Sequence, residues 1–433
     1  MKNSWKIIAS VLLAMSLLIP TTGASASQNS YDLGELKGKQ KSFRGETFRV
    51  LIDTTDSNVS AIAMAGIEVR NQFGGNSFTS DVTEKEFQAL KSIPGVKVEK
   101  VEILSIQVDQ DSLKLSNDVG TTAASQSIPW GIKAIYNDNY LTQTSGGNNV
   151  RIAILDTGVN IKHADLYYNA EQCKDFTQAR ATLVDGTCTD RQGHGTHVTG
   201  TALAEGGDDR KGVYGVAPNA KIWAYKVLGD NGSGYADDIA NAIRHVADQA
   251  SALNVKTVIN MSLGSSGESS LITNAVNYAY SKGVLIVAAA GNSGYAPGSI
   301  NYPAALPTAI AVANLENVIQ NSTYRVANTS SRGYTATAGD YVIQKGDVEI
   351  SAPGTAIFST WSNGGYATIS GTSMASPHVA GLAAKIWAEN PSYTNVQLRA
   401  NLQNRARAYD IRGGHYAGTG DDIASGFGFA RVR

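Results

Sequence analysis

A side-chain hydroxyl attacks a carbonyl near neutral pH only when a base takes its proton and a carboxylate orients that base. The sequence supplies all three types, each within two residues of a glycine. Asp156 ends the apolar run Ile154-Leu155 and is followed by Thr157-Gly158. His194 lies between Gly193 and Gly195, with Thr196, His197 and Gly200 just beyond. Ser373 follows Gly371-Thr372 and leads through Pro377 and His378 into a long apolar stretch. A fourth segment, Ala288 to Gly294, carries Asn292, a donor of the kind a developing oxyanion needs. Taken singly these signals are weak, because an Asp after a strand can be a helix cap and a Gly-Asn pair can be a plain turn. His194 and His197 lack the intervening Glu and the spacing of a His-Glu-x-x-His zinc site, so metal catalysis is not indicated. His197 then reads as a packed structural histidine and His378 as helix interior. His163, His245 and His415 read as surface residues.

Elements able to position these groups are legible around them. Val150 to Leu155, Ala220 to Val227, Thr257 to Met261 and Val284 to Ala289 are short, β-branched apolar runs, the pattern of strands buried on both faces. Between them, Ile239, Ile243, Val246 and Ala250 share one helical face over 237–250, and 271–280 is patterned similarly. Strands alternating with helices predict an α/β fold with a doubly wound, mostly parallel sheet. Ligands of such sheets bind beyond the carboxyl ends of the strands, where Asp156 falls. Pro377 lacks an amide hydrogen and is tolerated only near a helix start, so that helix begins close to Ser373. The hydroxyl thereby sits at the positive end of a helix dipole.

Ahead of this region lies a segment of different texture. Phe48 to Asp53 reads as a strand, Thr83 to Lys91 as an amphipathic helix, Ile93 to Gly95 as a turn and Val96 to Val108 as a strand. Together they predict a small α+β module. The aperiodic Ser/Thr/Asn-rich stretch 112–125 links it to the rest and is where processing is expected. Residues 315–350 are polar enough to predict surface loops or an added hairpin.

The amino terminus reads as an address. Lys2 and Lys6 precede an apolar run from Ile7 to Ile19, and Ala24-Ser25-Ala26 follows, which is the pattern of a secretory signal cut after Ala26. The run is too short to span a bilayer as a helix, and no membrane association is expected once it is removed. In an oxidising compartment Cys173 and Cys188 are expected to pair as a disulfide in preference to two free thiols. The chain has 433 residues, of which 42% are hydrophobic and 17% charged, so a large core is possible. Lys plus Arg (36) nearly balance Asp plus Glu (37), which gives no electrostatic reason to expect a nucleic-acid partner.

With the order Asp, His, Ser and all the surrounding motifs intact, the sequence resembles the subtilisin-like serine proteases over essentially everything after Ser27. The resemblance implies a secreted serine endopeptidase in which Ser373 attacks the scissile carbonyl, His194 is general base and then acid, and Asp156 orients His194. Asn292 and the Ser373 amide would hold the oxyanion. It also implies that Gly232-Ser233-Gly234 and Ser262-Leu263-Gly264 flank an extended peptide substrate, with a broad taste for apolar or aromatic side chains in the primary pocket. Gln126-Ser127-Ile128-Pro129 resembles the family's mature amino terminus. A structural calcium is implied, with Gln126, Asp165, Asp209 and the carbonyls of Lys211 and Val213 as ligands. The domains expected are a signal at 1–26, an inhibitory ferredoxin-like prosegment at 27–120 and a catalytic domain at 121–433, in a chain that processes itself and works as a monomer.

Overall fold

A computed structural model of the chain describes residues 46–64, 66–109, 127–179, 181–207 and 211–432. The expected signal, the linker stretch 112–125, Gln126 and Asp209 lie outside these residues.

The amino-terminal unit runs β1 (Thr47–Asp53), α1 (Asp56–Met64), β2 (Ser77–Thr83), α2 (Glu84–Lys91) and β3 (Lys97–Lys100). Its sheet has the antiparallel order β2-β1-β3. Residues 70–73 add a fourth rung on β2, with Arg70 N donating to Thr79 O and Phe73 N to Ser77 O. Counted along the chain, the four segments have the spatial order 4-1-3-2, which is the ferredoxin-like arrangement. Alternation along β1 decides its faces. Val50 and Ile52 point into a core with Ile62, Ile67, Phe78, Val82 and Leu90, whereas Leu51 joins the larger core of the molecule. A capping box starts α2, with Thr83 Oγ1 accepting from Glu86 N and Thr83 N donating to Glu86 Oε2.

The single strand expected over 96–108 is in fact two. After β3, Val101 N donates to Arg49 O and Glu102 O accepts from Ala236 N, and the chain leaves the small sheet. It continues as β4 (Ile103–Ile106), which pairs outside its own unit. Both partners of β4 are short strands of the larger unit that, among the described residues, pair with no other strand, and an unpaired strand offers its amides and carbonyls to any extended chain.

In chain order the larger unit runs α3 (Trp130–Tyr136), β5 (Val150–Asp156), β6 (Ala170–Asp175), β7 (Val184–Asp185), α4 (His194–Leu203), β8 (Lys221–Lys226) and β9 (Ser233–Tyr235). It continues through α5 (Ala236–Leu253), β10 (Lys256–Met261), β11 (Leu263–Gly264), α6 (Ser270–Ser281), β12 (Leu285–Ala289), β13 (Ile310–Gln320) and β14 (Thr323–Val326). The last elements are β15 (Ile350–Pro353), β16 (Ile357–Thr360), β17 (Tyr366–Ile369), α7 (Thr372–Glu389) and α8 (Asn395–Arg407). The main sheet has the order β14-β13-β12-β10-β5-β8-β6-β7, with β15 also on β13. Only the β13–β14 and β6–β7 pairs are antiparallel. Helices α5 and α6 pack together against β5, β10 and β12, and α4 and α7 pack together against the same strands. Cover on both faces is why those strands read as continuous apolar runs. The polar stretch expected to add a hairpin contains the β13–β14 hairpin, with loops over 327–349.

Strand order reverses between β5 and β10, since later strands add on both sides of β5. That switch point is where a crevice opens at the carboxyl ends of a doubly wound sheet. Asp156 ends β5 and Ser262 follows β10.

Candidate active site

Asp156 and His194, fully buried, are joined by a 2.8 Å hydrogen bond between Asp156 Oδ1 and His194 Nδ1. The carboxylate also accepts from Thr157 N at 2.7 Å. A carboxylate acceptor assigns the imidazole proton to Nδ1 and leaves Nε2 as a lone-pair acceptor. Nε2 is buried with no hydrogen-bond partner. Glycine at 195 has a steric cause, because a Cβ there would lie 2.1 Å from Gly158 O and 3.0 Å from Asp156 Cβ. Any side chain would push the histidine's helix away from the carboxylate.

The turn before this helix hangs on Asp190, which belongs to none of the sequence motifs. Asp190 Oδ1 accepts from Gly193 N and Thr157 Oγ1, and its Oδ2 accepts from Thr196 N and Oγ1. One buried carboxylate thus ties the end of β5 to the start of α4. The signal was present, since an acidic residue just ahead of a helix start is a common cap. Cys173 and Cys188 form the expected disulfide, which anchors the same loop to β6.

Ser373 is the second residue of α7. Pro377, four residues on, has no amide hydrogen to give to Ser373 O. That carbonyl instead accepts from Ser262 Oγ at 2.7 Å. The proline therefore frees a carbonyl that locks α7 to the segment after β10. Ser373 Oγ donates to Ser262 O at 2.9 Å and accepts from Gln107 N at 2.9 Å; no hydrogen bond joins it to His194 Nε2. Asn292 Oδ1 accepts from Thr372 N and Thr372 Oγ1, so its Nδ2 faces the other way, buried and without a partner.

The cleft beside these groups is filled by the molecule's own chain. β4 lies antiparallel between β11 and β9. Ser105 is opposite Gly264 and Ser233, Leu104 is opposite Gly234, and Ile106 N donates to Gly232 O. All the residues expected to flank an extended peptide are thereby brought onto one strand. At its end, Gln107 N donates to Ser262 O at 3.3 Å, and Gln107 O accepts from Ser373 N at 2.9 Å. A Cβ on Gly371 would lie 2.6 Å from Gln107 O and 3.1 Å from Asn292 Nδ2. Only glycine at 371 leaves room for that carbonyl to reach the Ser373 amide.

A second set of contacts holds the amino-terminal unit over the start of α5. Asp237 and Asp238, in the first turn of that helix, are buried. Arg49 pairs with both, Arg70 pairs with Asp238, and Asn71 and Thr79 donate to Asp237. Burial, then repulsion from Asp237, raises the Asp238 carboxyl above its ordinary range, and the Arg70 hydrogen bond opposes this.

His197 and His378 are structural, as expected. His197 Nε2 donates to Ile357 O, and burial pushes its pKa down to about 3. His378 Nδ1 donates to Met374 O, and burial pushes its pKa down to about 4. The surface reading of His163 fails, because it is buried with Nε2 on Gly365 O and Nδ1 accepting from Asp165 N. The turn 160–166 folds it against Tyr366. His415 is exposed and His245 is half-buried.

Asp165 is buried, and its Oδ2 accepts from Val213 N and from the Tyr366 hydroxyl. The loop carrying Lys211 and Val213 closes over it so tightly that a Cβ on Gly212 would lie 2.0 Å from Asp165 Oδ1. Ser127, next to Gln126, is bridged to Val213. Among the described residues no cluster of three or more His, Cys, Asp or Glu side chains is placed to hold a metal.

A doubly wound sheet with a buried Asp–His pair at its switch point, and a serine at the start of a helix packed on the same strands, is the architecture of the subtilisin class of hydrolases. Residues 147–428 match the Subtilase family, and the chain belongs to it. It is a serine endopeptidase of the subtilisin type, acting on polypeptides. It is 61% identical over 433 residues, the whole of both chains, to "Subtilisin" of Bacillus sp. (strain TA39). It is 34% identical over 403 residues, 93% of each chain, to "Alkaline protease" of Alkalihalobacillus alcalophilus. The solved structure "Sphericase" has 71% identity and a TM-score of 0.71, over 72% of this chain and all of that one.

Proposed function

We propose that the chain is a secreted, self-processing precursor in which Ser373, His194 and Asp156 carry out acyl transfer. The observation that carries this reading is the Gln107 carbonyl seated on the Ser373 amide, beside the unpartnered Asn292 Nδ2. For reaction, Ser373 Oγ turns about χ1 away from Ser262 O to His194 Nε2 and attacks the carbonyl carbon. His194 takes the hydroxyl proton, and Asp156 holds the imidazole in the tautomer that allows it. Negative charge on the carbonyl oxygen is met by Ser373 N–H and Asn292 Nδ2. His194 then returns the proton to the departing amine, and water releases the acyl group by the same path. Gly232 to Gly234 and Ser262 to Gly264 bind substrate as added strands, which requires no particular side chains.

Residues 27–120 act as the precursor's own inhibitor, and the secretory signal at 1–26 precedes them. Structural calcium is common in the subtilisin family. The buried Asp165 carboxylate under a carbonyl-bearing loop fits a hard, oxygen-seeking cation. Asp165 with Gln126, Asp209 and the Lys211 and Val213 carbonyls would hold it, and its contribution would be to fix that loop and the segment at Ser127. The chain expressed with its signal should clear casein in the culture medium, and the Ser373→Ala chain should not. Clearing by both would refute the assignment of the nucleophile.

A further inference from the structure

We propose that the first bond this chain cuts in itself is Gln107–Val108, and that Asn301 makes its primary pocket selective for a glutamine side chain. The inference deepens the protease reading given above and rests on it.

Register fixes the bond. Gln107 is the residue whose carbonyl meets Ser373 N and whose amide meets Ser262 O. On the far side, Asp109 N donates to Ser370 O at 2.7 Å, so the chain is gripped by backbone hydrogen bonds both before and after one peptide link. Attack of Ser373 Oγ on Gln107 C breaks the link to Val108 N. The proton from Oγ passes through His194 to that nitrogen, and water then completes a Gln107 carboxylate. The new amino terminus, Val108, lies nineteen residues ahead of Ser127. Since Gln126-Ser127 resembles the family's mature start, the first cut and the final terminus are different places.

The side chain explains why this bond is chosen. Gln107 is buried beside Gly264, and its amide is fully engaged. Nε2 donates to Ser105 O at 3.0 Å and to Gly264 O at 3.1 Å, and Oε1 accepts from Asn301 Nδ2 at 3.1 Å. Asn301 is oriented for this role, because its Oδ1 accepts from Ser293 Oγ and its backbone amide donates to Ala290 O. A leucine or phenylalanine in the same place would leave the Asn301 amide and the Gly264 carbonyl buried without those partners. A glutamate would set a carboxylate against two carbonyl oxygens. Sites that hydrogen-bond a substrate side chain discriminate strongly against analogues that lack it. The pocket is therefore polar at its base, in contrast to the apolar or aromatic taste that the family resemblance implies.

The test is a time course of the purified full-length precursor, followed by intact mass and amino-terminal sequencing. Val108 is expected as the first internal terminus, together with a fragment ending in Gln107. A first terminus anywhere else in a chain that becomes active overturns the proposal, as does the same cut in Ser373→Ala protein. Mature enzyme is then given the peptide Ile-Leu-Ser-Ile-Gln-Val-Asp and its Gln→Leu and Gln→Glu analogues, which removes any dependence on folding of precursor variants. The glutamine peptide should have the highest kcat/KM, by about tenfold or more, and Asn301→Asp should cut the ratio of glutamine to leucine cleavage by a similar factor. A leucine peptide cut as fast as the glutamine one, or an unchanged ratio in Asn301→Asp, overturns the assignment of Asn301. Casein hydrolysis by the same preparation, absent in Ser373→Ala, reports separately on whether the chain is a serine protease at all.

Discussion

Among the described residues the amino-terminal unit over 46–100 rests on a core of seven buried apolar side chains, whereas the larger unit has a much larger core and carries Asp156, His194 and Ser373, each fully buried in the assembled chain. A unit of about 55 residues is near the lower limit for independent stability. It spends polar side chains on its partner, through Arg49, Arg70, Asn71 and Thr79 on Asp237 and Asp238. The larger unit instead leaves polar atoms unpaired, His194 Nε2 and Asn292 Nδ2, at the cleft that β4 covers. Such atoms cost stability where they sit, and they persist where a substrate is to meet them. The small unit is thus built to dock and the large one to react.

Removing the reacting hydroxyl is the sharpest way to separate the two roles. Ser373→Ala should lower turnover by ~10⁶, a size measured in subtilisin itself, while the amino-terminal unit stays docked and uncut; residual self-cleavage on a gel would contradict this. Asn292→Leu keeps the bulk and removes the donor. It should cost ~10² to 10³ in kcat, again a subtilisin magnitude, with KM for a peptide little changed. Arg49→Ala with Arg70→Ala attacks the docking side alone. Truncating buried charge partners costs about 2–5 kcal/mol, so the Kd of the cut amino-terminal fragment should rise by about 30-fold or more, with kcat of the freed enzyme unaltered. Equal retention of the altered fragment would show that β4 supplies the affinity.

Calcium and pH act on the larger unit more gently. If the cation is held at 100 times its dissociation constant, chelation removes about 2.7 kcal/mol and lowers Tm; identical Tm values in EDTA and in calcium would end that claim. His197 and His378 titrate at about 3 and about 4 in the folded chain, against an ordinary 6.5. The unfolded chain therefore binds more protons between those values. The stability they confer is complete above 6.5 and is lost as pH falls toward 4 and then 3. Tm of the Ser373→Ala protein should decline over that window, and less steeply in His378→Gln.

The strands at 150–156, 221–226, 256–261 and 285–289 were legible because burial on both faces writes an unbroken apolar run, and α7 was legible from Pro377. Asp190 and His163 were harder, because a capping carboxylate and a packed imidazole look like surface residues until the turns around them close. Asn301 and Gln107 gave no local signal at all. They meet across 194 positions, and nothing in either neighbourhood names the other.

By itself the sequence determined the reacting types, their order and the elements that carry them, since those follow from spacing, glycine and proline. Tertiary structure alone decided that β4 leaves its own sheet for the edges of β9 and β11, and which peptide bond this sets against Ser373. Edge pairing is a contest between distant backbones, and its register is fixed only once both partners are folded and in place.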